Sequence, residues 1–153
     1  MVAKHETFVD LSAGLLTSGY GVRFRAKGSS MLPTIQEGEM MTVVPVAPHE
    51  VSCGDIILYC FAGGMIAHRV VRMAQAADGG AVFSVRGDAS WAFDQAVEAQ
   101  QVLGRVVSVE RGSRQVELTT QRAKFLHCVV AGLFRLKRWL HSRVAIPRNE
   151  RVL

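Results

Sequence analysis

A chain of 153 residues, 49% hydrophobic and 20% charged, can bury a core, which excludes intrinsic disorder and argues for one main globular unit. Its formal charge of +5 is unevenly placed: Lys and Arg far outnumber Glu over residues 111–151. With no RNA-binding signature and no helix-turn-helix pattern, that excess does not point to a nucleic-acid partner. Cys53, Cys60 and Cys128 are an odd number of cysteines without metal-type spacing; they exclude a disulfide framework and a zinc site and fit a reducing compartment.

The chain opens on a short predicted helix, capped by Thr7, with Phe8, Leu11 and Leu15 on one face and Gly19 and Gly21 ending it. The first ten residues mix Lys4, His5, Glu6 and Asp10 and do not read as a secretory leader. No apolar run reaches the ~18–20 residues of a membrane span. The expected location is therefore cytoplasmic or peripheral to a membrane.

Residues 22–27 alternate Val22, Phe24 and Ala26 with Arg23, Arg25 and Lys27, the period of a half-buried strand. The strand runs into Gly28-Ser29-Ser30-Met31-Leu32-Pro33-Thr34-Ile35, an abrupt turn that can present a serine hydroxyl to a cleft. A second strand is expected over residues 40–46. A third spans 55–61, so apolar that both faces should be buried. Gly63-Gly64 reads as a two-residue hairpin turn, returning residues 65–73 antiparallel. Asp78-Gly79-Gly80 turns the chain again into residues 81–86. A further strand covers 101–110, interrupted near Gly104. Many short strands joined by glycine turns predict a mainly β fold of antiparallel sheets forming a partly closed barrel.

Residues 120–141 change period. Phe125, Val129, Leu133, Leu136 and Leu140 recur every three to four residues among Arg122, Lys124, Arg135, Lys137, Arg138 and Arg143. This is a basic amphipathic helix. Three uses are open to it: packing its apolar face on the β domain, lying on an anionic membrane surface through residues 120–143, or binding a partner. The organisation read from the chain is a β domain over residues 1–118 and a basic helical tail over 119–153.

Two polar residues stand out within the β region. His68 lies in an apolar strand, and Asp88 at the end of the next. Pairing those strands symmetrically about Gly79 sets His68 near position 90, within a residue or two of Asp88. Bringing Ser30 to them requires the sheet to curl. The chemistry of such a trio is general. A serine hydroxyl is a weak nucleophile until a base takes its proton. A histidine, whose free imidazole titrates near ~6.5, can be that base. A carboxylate on the other ring nitrogen fixes the tautomer.

These stretches resemble the motifs of type I signal peptidases. Gly28 to Thr34 is similar to the nucleophile box, and Gly54-Asp55-Ile56-Ile57 to the next. Ala67-His68-Arg69-Val70-Val71 is similar to the base-bearing box, and Arg86-Gly87-Asp88-Ala89-Ser90 to the acidic one. Val102-Leu103-Gly104-Arg105-Val106-Val107 resembles the strand that often follows. A histidine at the base position resembles the archaeal, endoplasmic-reticulum and sporulation-type members, whereas most bacterial members place a lysine there.

The resemblance implies a serine endopeptidase that cleaves a leader or signal-like peptide or preprotein after small residues, with no metal and no cofactor. Ser30 would be the nucleophile, His68 the base, and Asp88 the residue that orients His68. Ser29, Ser30 and Met31 would line the substrate and oxyanion site. Many bacterial relatives carry a hydroxyl two residues before the nucleophile; here that position is Gly28, and Ser29 is the nearest substitute. Asp94 is a second carboxylate that could compete for His68. The alternative is a catalytically inactive member of the same fold that binds peptides or regulates.

Overall fold

Burial on both faces makes residues 56–59 the centre of the molecule. In the computed structural model, which describes residues 2–93 and 96–144, eight strands form one antiparallel sheet: β1 (Val22–Arg25), β2 (Met40–Val44), β3 (Ile56–Phe61), β4 (Gly64–Gln75), β5 (Ala81–Arg86), β6 (Val97–Glu98), β7 (Val102–Arg111) and β8 (Arg114–Glu117). Their order is β1-β2-β7-β3-β4-β5-β6, with β8 also on β7. The mainly β architecture agrees with the sequence reading. Among the described residues the sheet does not close on itself, and β1 and β6 stand at its ends.

Successive side chains of β3 point to opposite faces and build two cores. Ile56 and Leu58 pack with Met41, Val43, Val106 and Val109. Ile57 and Tyr59 pack with Val70, Phe83, Val85 and Val97. The first core also holds Ala26, Met31 and Ile35. The stretch that turns at Ser30 is thus anchored on both sides of the serine.

Two turns depart from the expected positions. Phe61 pairs with Gly64, so the two-residue turn is Ala62-Gly63, with φ of 48° and 75°. Gly64 is the first residue of β4, because that register keeps the alternation of β3 facing that of β4. In the next hairpin Gln75 pairs with Ala81, but Arg69 pairs with Arg86, with an irregularity between Val70 and Arg72. The turn is centred on residue 78, which already moves the pairing by two residues relative to symmetry about Gly79, and the bulge adds one more. The interruption expected near Gly104 is also a pairing irregularity: Leu58 faces Gly104 and Tyr59 faces Val102.

Helix α1 (Val2–Thr17) begins before Thr7, which is therefore interior rather than a cap. It ends where Tyr20 N–H bonds the Leu15 carbonyl at 2.9 Å, with Gly19 at a φ of 89°, a left-handed stop suited to glycine. Its buried face is Val9, Ser12 and Leu16; Phe8, Leu11 and Leu15 are exposed. The rotation has a local cause. Leu16 sits against Gly104, where an added Cβ would lie 3.3 Å from the leucine Cδ2, so the missing side chain on β7 fixes where the helix docks. Phe8 meets Phe24 of β1 edge-on, with ring centroids 6.0 Å apart.

Helix α2 (Gln121–Val144) starts at Thr120, whose hydroxyl accepts the Ala123 N–H at 3.1 Å. Packing of its apolar face on the β domain is overturned. Lys124 and Ala131 are buried, while Phe125, Val129, Leu133, Leu136 and Leu140 face outward. The cause is electrostatic. The Asp55 carboxylate is fully buried and needs a cation; Lys124 Nζ meets it at 2.7 Å, and Arg105 lies at 3.4 Å. Satisfying Asp55 turns the charged face of α2 inward.

That anchor has a pH signature. Burial opposes ionisation of Asp55, but Lys124, the Ser52 N–H and Arg105 outweigh it and hold the carboxyl below the usual carboxylate range. The stabilisation is present above the unfolded value of about 3.9 and is lost as pH falls through the lower folded value. Melting temperatures of wild type and Asp55→Asn are expected to differ at neutral pH and to converge only in strong acid.

Candidate active site

Ser30 follows the end of β1 at an exposed position, while His68 on β4 is buried, opposite Ile57 of β3. Ser30 Oγ and His68 Nε2 are 3.0 Å apart, within hydrogen-bond reach of a nucleophile and its base. Both line a cleft of about 1070 Å³ whose walls come from Phe24 of β1, Ala26 just after it, and Met65 and Ala67 of β4, with Phe8 and Val9 of α1. The lining is mostly apolar; its polar side chains are those of Ser30, His68, Arg25 and Lys27.

The other ring nitrogen of His68, Nδ1, lies 3.3 Å from the buried Tyr59 hydroxyl. Asp88 is placed differently from the orienting role expected of it. Its carboxylate is gripped by Arg69, the neighbour of His68, with Nε to Oδ1 at 2.8 Å and Nη2 to Oδ2 at 2.7 Å. The Thr34 hydroxyl donates to Oδ2 as well. Arg69 continues to the Gly54 carbonyl at 2.8 Å. Burial disfavours the guanidinium charge, but Asp88 outweighs it and holds the Arg69 proton more firmly than usual. The register explains the difference: with Arg69 opposite Arg86, it is Gly87 that reaches the serine and histidine, and Asp88 falls one residue beyond. Asp94 lies outside the described residues.

No protein-family model and no curated protein matches this chain. The site therefore stands on its own geometry.

Gly87 is a residue that sequence reasoning quoted without giving it work. A Cβ there would lie 2.6 Å from the Ser30 carbonyl oxygen, 3.2 Å from Ser30 Cβ and 3.2 Å from His68 Nε2. The next residue but one, Ala89, donates its N–H to the same Ser30 carbonyl at 2.9 Å. The strap after β5 is thus bonded to the Ser30 backbone, and Arg69, Asp88 and Thr34 hold that strap. Gly87→Ala must displace the serine, the imidazole or the strap. Because displacements near ~1 Å cost about 10²-fold in rate, a comparable fall in kcat with a smaller change in KM is expected, read by steady-state kinetics on a peptide reporter.

Of the remaining predicted site residues, Ser29 is exposed and its carbonyl accepts the Leu32 N–H at 3.2 Å. Met31 is buried, packs in the first core and lines the cleft. Tyr59, Arg69 and Thr34 were also unassigned. The available signal was positional: Arg69 and Thr34 sit within the same short motifs as His68 and Ser30.

Proposed function

We propose that the protein is a serine endopeptidase similar to the type I signal peptidases that use histidine as base, cutting a leader or signal-like peptide after small residues. The observation that carries this reading is the 3.0 Å approach of Ser30 Oγ to His68 Nε2 at the wall of an apolar cleft. Strands β1 and β4 both line that cleft, which supports the partly closed barrel expected from the short strands and glycine turns.

In the proposed reaction Ser30 Oγ attacks the scissile carbonyl while His68 Nε2 takes its proton. For Nε2 to accept, the neutral ring carries its proton on Nδ1, facing the Tyr59 oxygen. The imidazolium then protonates the departing amine, leaving an acyl group on Ser30. Water, deprotonated by the same nitrogen, releases it. The N–H of Ser30 serves as one oxyanion donor. Asp88 acts at one remove: with Arg69 it holds the strap against the Ser30 backbone.

The peptide adds as a strand along β1, the end strand of the sheet, whose main chain leads into Ser30. Ala26, Met31 and Ala67 leave room for small side chains beside the serine. The test is cleavage of an Ala-X-Ala reporter by wild type, Ser30→Ala and His68→Ala, with product masses locating the cut. Cleavage after the second small residue by wild type alone is expected. Equal turnover by all three would exclude a peptidase centred on this pair.

A further inference from the structure

The outward face of α2 is an unusual thing to leave in water. Phe125, Leu126 and Leu133 are 74%, 58% and 61% exposed, and Leu136 and Leu140 are 46% and 49% exposed. The inward face is already committed: Lys124 to Asp55, Arg135 to the Asp88 carbonyl at 2.9 Å and Arg138 to the Ala89 carbonyl at 3.3 Å. Turning the helix to hide the leucines would strand Asp55, so the apolar stripe is a fixed outer surface.

We infer that this stripe docks on an anionic lipid bilayer, with α2 lying in the plane of the interface. Charge selects the occupant. The helix carries no Asp or Glu, and exposed Arg122, Lys137 and Arg143 lie beside or at the ends of the stripe. A second copy of the same helix would bring like charges together, whereas anionic headgroups neutralise them. Trp139, partly exposed and covered by Arg143 at 4.6 Å, is an aromatic of the type that anchors at headgroup level. The surface continues onto Trp91, 58% exposed and stacked on Arg135 at 5.5 Å. Because Arg135 and Arg138 also bond the strap behind Ser30, docking sets the cleft beside the bilayer.

The surface is independent of hydrolysis, so Ser30→Ala is expected to bind as wild type does. The test is cosedimentation of the full chain with phosphatidylcholine vesicles with and without phosphatidylglycerol. Binding is expected to the anionic vesicles, to weaken with salt, and to be slight on phosphatidylcholine alone. The double variant L126D/L133D alters only exposed positions; it should lose at least about tenfold in partitioning, with circular dichroism and reporter cleavage unchanged. A wild-type chain that stays in the supernatant, or a variant that binds as tightly, would overturn the inference. A concentration-dependent doubling of mass in light scattering, abolished by the same variant, would assign the face to a second copy and overturn it equally.

Discussion

Replacing Ser30 with alanine is expected to lower turnover of an Ala-X-Ala reporter by about 10⁴-fold or more, and His68→Ala by a similar factor. The two are not expected to add. A serine without its base keeps its proton, and a base without the serine has nothing to activate, so the double variant should be about as slow as either single one. Ser30 is exposed, so its truncation should leave the melting temperature nearly unchanged. His68 is buried against Tyr59, which makes His68→Gln the better control for packing. Kinetics of the four proteins, with thermal melts alongside, check the expectation. Losses that multiply would mean that Ser30 and His68 act separately.

The second large effect falls on stability. Arg69 and Asp88 are a buried pair, with side chains only 4% and 3% exposed. Removing one partner leaves a charge inside the protein, which typically costs about 3–5 kcal/mol. Asp88→Ala is therefore expected to lower the melting point by about 6–20 °C. Replacing both partners by apolar residues of similar volume, Arg69→Met with Asp88→Leu, should recover most of that loss. An Asp88 that acted only by orienting the catalytic imidazole would behave differently: the rate would fall and the melting point would hold. Thermal unfolding of wild type and the two variants separates these outcomes. Some activity should fall with Asp88→Ala as well, because Asp88 anchors the strap that bonds the Ser30 carbonyl.

The β framework was legible because its signals are local. Alternation over residues 22–27 and the apolar run at 56–61 set strands, and glycines near 63 and 79 set turns. The Ser30–His68 pairing was legible only through motif order, since nothing local links residues 38 apart. What could not be read was register. The irregularity between Val70 and Arg72 is a tertiary choice; it moved Gly87 to the serine and gave Asp88 to Arg69. The helices failed for a related reason. Periodicity identifies an apolar stripe but not the side that the rest of the molecule leaves open. Gly104 decided the docking of α1, and the buried charge of Asp55 turned the leucines of α2 outward. Neither glycine nor aspartate belongs to the helix whose orientation it sets.

The role proposed for Ser30 is the most direct point of attack. The full chain can be mixed with an activated ester of N-acetylalanine, quenched in acid and examined by intact-mass and peptide-mapping mass spectrometry. A transient acyl group on the peptide that contains Ser30 is expected in wild type, slow to form in His68→Ala and absent in Ser30→Ala. An acyl group carried by any other residue, or reporter turnover retained by Ser30→Ala, would contradict a serine–histidine peptidase at this cleft.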